Sequence, residues 1–182
     1  MTLVILTEEP SMKTTLEHVL CKLGIDLSEV RILAHQGKSD LEKSIPLKLK
    51  AWLDPEARFL ILRDNDRGDC RLRKSNLLDI VAKTGRADKT LVRIVCQELE
   101  AWFLGDPLAL EAAGYLKPGR RPAFCKRDPD TIDYPVEELK KLRAGYGKGT
   151  GAAAISPHLD LATNASASFR ATVAAIERLV RQ

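Results

Sequence analysis

The chain has 182 residues, 45% of them apolar, which suits one packed domain or one domain with an extension. Its 29 Lys+Arg against 25 Asp+Glu leave a formal net charge of +4, too mild to mark a nucleic-acid binder by charge alone. No apolar run approaches the roughly 20 residues of a transmembrane helix and no leader pattern opens the chain, so a cytoplasmic protein with no membrane partner is expected.

Residues 2–7 read as a buried strand that ends in acid, Glu8 and Glu9. Pro10 and Ser11 break it and offer a helix N-cap, and Leu16, Val19, Leu20 and Leu23 follow at helical spacing until Gly24. Val30–Ala34 is a second strand. Gly37 and Ser39 open a helical stretch with Leu41, Ile45, Leu49 and Leu53 on one face, kinked or divided at Pro46. Residues 58–63, Arg58-Phe59-Leu60-Ile61-Leu62-Arg63, form the most strand-like run, followed by Asp64 and Asp66 in a polar loop. Residues 72–82 read as a helix and 91–96 as a fourth strand. This alternation predicts an α/β fold with a mainly parallel four-stranded sheet flanked by helices.

The pattern changes after residue 97. Short helices are expected at 98–104, 107–113 and 136–142, with an extended, proline-containing loop over 117–135. Gly145, Gly147, Gly149 and Gly151 suggest a flexible turn around Lys148, and a last helix runs from about residue 168. The expected division is an α/β core over 1–97 and an α-helical C-terminal extension over 98–182, packed on the core as one compact domain.

Strand ends carry the chemistry. If the first and third strands lie in one parallel sheet, Glu8, Asp64 and Asp66 gather at its carboxyl edge, where open α/β sheets bind ligands. Such carboxylates are natural seats for Mg²⁺ or Mn²⁺. Glu98 and Glu100 follow the fourth strand, and Glu100 is taken as a further metal ligand. With enough carboxylates, two metals could clamp a phosphodiester and activate a water. Alone, Asp-x-Asp reads better as a polar loop whose aspartate caps the next helix, and it is the coincidence of three acidic strand ends that favours a metal site. Glu9 reads as solvent-facing, with Glu8 turned to the site instead. Asp69 is either a helix cap or an outer ligand.

Lys148 is a candidate for neutralising a phosphate or a transition-state charge, although its glycine spacing is not a P-loop. Lys38, in Gln36-Gly37-Lys38-Ser39, is a candidate phosphate contact at a helix start, with a plain turn as the alternative. Lys117, Arg120, Arg121, Lys126 and Arg127, then Lys140, Lys141 and Arg143, form basic clusters that suit either phosphate contacts or a solvated surface. Trp102 and Phe103 read as core. His18 reads as structural, and His35 lies within reach of the active edge with no nucleophile to pair. Cys21, Cys70, Cys96 and Cys125 lie far apart with no Cys-x-x-Cys, which argues against a zinc site or a disulfide scaffold.

Thr7-Glu8-Glu9-Pro10-Ser11 resembles the Glu-Gly-Pro-Ser start of a TOPRIM domain, and Leu60-Ile61-Leu62-Arg63-Asp64-Asn65-Asp66 resembles its strand and Asp-x-Asp element. An ordered series across nearly the whole chain is similar to the bacterial domain-of-unknown-function family numbered 4276. It comprises Gln36-Gly37-Lys38-Ser39, Asp64-Asn65-Asp66-Arg67-Gly68-Asp69-Cys70, the run from Gln97 to Asp106, Tyr146-Gly147-Lys148, and Asn164-Ala165-Ser166-Ala167-Ser168-Phe169. TOPRIM domains of topoisomerases, primases and OLD-type nucleases bind Mg²⁺ and act on phosphodiesters. The resemblance therefore implies a TOPRIM-like fold, Glu8 as general base or metal-associated carboxylate, and Asp64 and Asp66 as metal ligands. It also implies a nucleic-acid substrate, DNA first, and an ABC- or AAA-type ATPase as partner in defence or DNA repair.

Two departures stand out: Glu9 replaces the usual glycine, and Met12 stands where many nuclease-like versions have an acid. Three functions are thus compared. They are a Mg/Mn-dependent nuclease or phosphodiesterase, a non-catalytic TOPRIM-like partner of an ATPase, and a phosphoryl-transfer enzyme with an aspartate acceptor. The third fits least well, because no threonine stands at the next alternate position.

Overall fold

The computed structural model describes residues 2–181. Four strands form one sheet: β1 (Leu3–Thr7), β2 (Val30–Ala34), β3 (Arg58–Asp64) and β4 (Thr90–Val95). All pair in parallel, in the order β2-β1-β3-β4. Leu3 lies opposite both Val30 and Arg58, and Asp64 lies opposite Val95.

Alternation along the strands sends side chains to two cores. Val4, Leu6, Phe59, Ile61 and Val92 meet α2 (Lys38–Ala51) and α3 (Cys70–Ala82) through Leu41, Ile45, Leu49, Leu77 and Val81. Leu3, Ile5, Leu60 and Leu62 face the other way, against α1 (Pro10–Lys22) through Met12, Leu16, Val19 and Leu20. That second core also takes in the later helices: α4 (Glu100–Leu104), α5 (Pro107–Ala112), α6 (Pro135–Leu142), α7 (Lys148–Ile155) and α8 (Ala167–Arg181). Trp102, Phe103 and Phe169 are fully buried in it, the first and last as an edge-on pair with centroids 5.2 Å apart.

Several local expectations change. Pro10 opens α1 directly, with Glu9 at the N-cap position, so Ser11 lies inside the helix. Pro46 leaves α2 unbroken, and Leu53 falls beyond its end, exposed rather than on the buried face. The 117–135 segment carries two short 3₁₀ turns, Ala123–Lys126 and Pro129–Thr131, pinned by buried Phe124, Pro129 and Ile132. The largest change concerns the glycine-rich stretch: Lys148 is the first residue of α7, and Gly149 and Gly151 lie within that helix. Among the described residues no helix is long and apolar enough to cross a membrane.

Candidate functional site

The sheet order creates a crevice. From β1 the chain crosses to β2 on one side, and from β3 to β4 on the other, so the crossovers diverge between the carboxyl ends of β1 and β3. Glu8 follows β1 and Asp64 ends β3. The Asp64 backbone N–H donates to Glu8 Oε2 at 3.3 Å. Buried Arg63 holds Glu8 from the side at 3.7 Å and also pairs with Glu42.

The Asp-x-Asp loop is a tight turn. Gly68 N donates to Asn65 O at 3.0 Å, while Asp66 and Arg67 both take positive φ, 48° and 59°. Gln97 anchors this turn from the neighbouring strand end. Its carbonyl accepts from Asp66 N at 3.0 Å, and its side-chain oxygen accepts from Arg67 N at 2.9 Å and Asn65 Nδ2 at 3.0 Å. Asp69 caps α3, its Oδ1 accepting from Arg71 N and Leu72 N.

Glu9, set aside in the sequence, enters the cluster. Its carboxylate accepts from Ser11 Oγ at 2.6 Å and from Lys148 Nζ at 3.1 and 3.2 Å. Lys148 is aimed there because α7 begins at it. Of the glycines around it, Gly151 has a steric reason: a Cβ there would stand 2.1 Å from Tyr146 Cε2, whereas one on Gly149 would meet nothing within 4 Å. That close approach seats Tyr146, whose hydroxyl donates to Glu100 Oε1 at 2.9 Å. Glu100 is fully buried. Glu98 is brought in as well, 3.7 Å from Arg67, so both acids after β4 serve the same edge.

The electrostatics bind these groups into one network. Burial pushes the Asp64 carboxyl well above its usual range, with Glu9, Glu100 and Glu8 adding to it and Lys148 opposing. Burial raises Glu8, with Asp66 adding and Arg63 opposing. Burial also raises Glu98 against the pull of Lys148 and Arg67. It pushes Glu100 up to about 7. Lys148 goes up despite its own burial, because Glu100, Glu9 and Asp64 surround it. It therefore stays charged and can only donate.

The other candidates divide. Lys38 is exposed in the first turn of α2, which Gly37 N joins to the site by donating to Glu8 O at 2.9 Å. His35 is buried against Thr7 O and Ser44, a tie between strand end and helix. Part of the basic surface is already paired: Arg121 with Glu111, Lys140 with Glu137, Lys141 with Glu138. The Asn164 to Phe169 motif is a clamp on the core. Asn164 Nδ2 donates to Trp102 O at 2.9 Å, and Ala165 N to Gly105 O at 2.8 Å. Asp130 accepts from Ser168 N at 2.7 Å and Ser166 Oγ at 2.6 Å.

The donor set is all oxygen, which suits Mg²⁺ or Mn²⁺. Asp64 Oδ1, Glu98 Oε2 and Glu100 Oε2 are buried without a hydrogen-bond partner among the described residues, the condition a cation would relieve. As the side chains stand, no three of the described carboxylates, imidazoles or thiols converge closely enough to hold a metal. Rotation of these side chains is therefore part of any metal binding here.

The profile described as domain of unknown function (DUF4276) matches residues 7–177, nearly the whole chain. The chain belongs to this family. Among curated proteins, none matches it. Among solved structures, this DUF4276 chain is similar to the C-terminal region of the OLD protein of Xanthomonas campestris pv. campestris. That likeness has a TM-score of 0.59 at 22% identity and covers 98% of this chain and 96% of the other. It is similar also to the C-terminal region of the Burkholderia pseudomallei OLD protein, with a TM-score of 0.58, 19% identity and 98% of both chains covered. At these identities the likeness is one of fold, and the fold is TOPRIM-like.

Proposed function

We propose that this DUF4276 chain is a divalent-metal-dependent nuclease or phosphodiesterase, with nucleic acid, DNA first, as its substrate. The observation that carries the reading is the gathering of Glu8, Glu9, Asp64, Asp66, Glu98 and Glu100 at the crevice between β1 and β3, with buried oxygens unsatisfied. Glu8, Asp64, Asp66 and Glu100 would hold Mg²⁺ or Mn²⁺. The chemistry such an ion would supply there is Lewis-acid polarisation of a phosphoryl oxygen and a lowered pKa for a water. Glu8, whose pKa burial and Asp66 raise in the metal-free chain, would serve as the general base toward an attacking water. Lys148, fixed in its charged form, offsets charge on a phosphate in the transition state. Lys38 contacts the phosphate backbone further along the edge.

The fold shared with the C-terminal regions of OLD proteins supports the reading, as does the TOPRIM resemblance of both acidic strand ends. We extend it to an ABC- or AAA-type ATPase as a partner, in defence or DNA repair. One observation favours a second reading, a non-catalytic binding partner of such an ATPase: Lys148 already neutralises Glu9, so the cluster has an internal cation.

Cleavage separates the two. Wild type and Asp64→Asn/Asp66→Asn are incubated with Mg²⁺ or Mn²⁺ and single-stranded DNA, duplex DNA or RNA. The nuclease reading expects metal-dependent cutting by wild type alone. Equal trace cutting by both chains would sink it, and metal-independent association with an ATPase, without cutting, would favour the second reading.

A further inference from the structure

We infer that Tyr134, backed by Arg67, is a stacking platform for an unpaired nucleobase, so that the strand reaching the acidic site is single-stranded. The inference deepens the nuclease reading and rests on it for the fate of the bound strand. Tyr134 is 56% exposed, yet its ring is not loose on the surface. The Arg67 guanidinium lies over it, 4.5 Å from the ring centroid. Arg67 follows Asp66 directly, donates to Asp133 O at 3.4 Å, and lies 3.7 Å from Glu98. One side chain thus joins the exposed ring to the acid cluster.

The segment carrying the ring is fixed. Pro129, Ile132 and Pro135 are buried around it. Gln97 Nε2 donates to Asp130 O at 3.4 Å, and the Asp130 carboxylate accepts from Ser168 N at the start of α8. The same Gln97 holds the Asp-x-Asp turn, so ring and carboxylates share one anchor. A ring fixed before binding loses little freedom when a base stacks on it.

Stacking on an aromatic ring is sequence-tolerant because every base has a π-face. In a duplex those faces are already covered by neighbouring bases, so an aromatic platform selects unpaired strands. Arg67 adds a cation to the stack and positive charge at the rim of the acidic site.

The test uses a single-stranded oligonucleotide carrying 2-aminopurine and the blunt duplex of the same sequence, bound in EDTA at low salt. Wild type should bind the single strand more tightly than the duplex and change the 2-aminopurine fluorescence. Tyr134→Ala should weaken single-strand binding roughly tenfold, the size of one base–aromatic stack, and leave duplex binding unchanged. Tyr134→Phe should behave as wild type. Failure of wild type to bind the single strand, or equal weakening of both forms in Tyr134→Ala, overturns the platform. Cleavage with Mn²⁺ is read in parallel. If the stacking signal depends on Tyr134 while no chain cuts, the platform stands and the nuclease reading falls. If wild type cuts and Tyr134→Ala binds and cuts identically, the platform falls alone.

Discussion

Lys148 Nζ lies 3.1 and 3.2 Å from the two carboxylate oxygens of Glu9, a contact between residues 139 positions apart in sequence. It places a fixed positive charge among Glu9, Asp64 and Glu100, where unshielded carboxylates would otherwise repel one another. Removing that charge should therefore register first in stability.

Lys148→Met is expected to destabilise the metal-free protein at pH 8 by about 0.5–1 kcal/mol, solvent screening of this part-exposed pair holding the loss down. The loss should shrink at pH 5, where the raised carboxyls begin to protonate. Urea unfolding in EDTA at the two pH values measures it. Added Mn²⁺ should recover more stability in the variant than in wild type, and equal stability of the two chains at pH 8 would contradict the role given to Lys148.

Glu100 predicts a pH dependence of its own. Below about 4.5 it is protonated folded or unfolded and costs nothing. Between its ordinary value and about 7 the folded chain keeps a proton that the unfolded chain has released, so stability falls steadily as pH rises. Above that window the full cost, about 3 kcal/mol by the size of the shift, is in place. Glu100→Gln should remove this slope in EDTA, making the variant the more stable chain at pH 8 and similar to wild type near pH 4. Parallel stability profiles across that range would show the assignment to be wrong.

Gly151→Ala should push Tyr146 off Glu100, because the added methyl falls on the ring. A loss of about 1–3 kcal/mol is expected from overpacking. Tyr146→Phe removes only the hydroxyl that Glu100 accepts, and the double variant should lose less than the sum, since both act through one contact. Thermal unfolding of the four chains checks this, and full additivity would contradict it.

The strands were legible because buried parallel strands are short apolar runs, and the acids at their ends stand beside those runs in sequence. Glu8, Asp64 and Asp66 follow to one edge once their strands are set in one parallel sheet, a condition that the strand order β2-β1-β3-β4 meets and that no single strand's sequence encodes. Glu9 was not legible: its direction depends on Lys148, which arrives from the far end of the chain. Local sequence puts Lys148 in a turn, since four glycines disfavour a helix, whereas it opens α7. The physical reason for Gly151 is a contact with Tyr146, which no local pattern reveals. Gln97 left only the signal of its place in a motif, because its work is done by a side-chain amide reaching across to another strand's loop.

Gln97→Ala tests that work. It leaves the Arg67 N–H and the Asn65 amide without their shared acceptor, at a cost of about 1–3 kcal/mol. The Asp-x-Asp turn should loosen, and Mn²⁺ affinity should fall about tenfold or more, as when other outer supports of metal ligands are removed. Calorimetric titration with Mn²⁺ reads this, and unchanged affinity would remove Gln97 from the site.

The central claim is that the crevice between β1 and β3 takes a divalent cation on its carboxylates. The most direct measurement is calorimetric titration of Mn²⁺ into wild type and Asp64→Asn at pH 7.5, with circular dichroism confirming that both are folded. The account predicts saturable binding by wild type that Asp64→Asn loses, although the variant, relieved of a buried carboxyl, is at least as stable without metal. Saturable binding of equal affinity in both chains, or none in either, would contradict it.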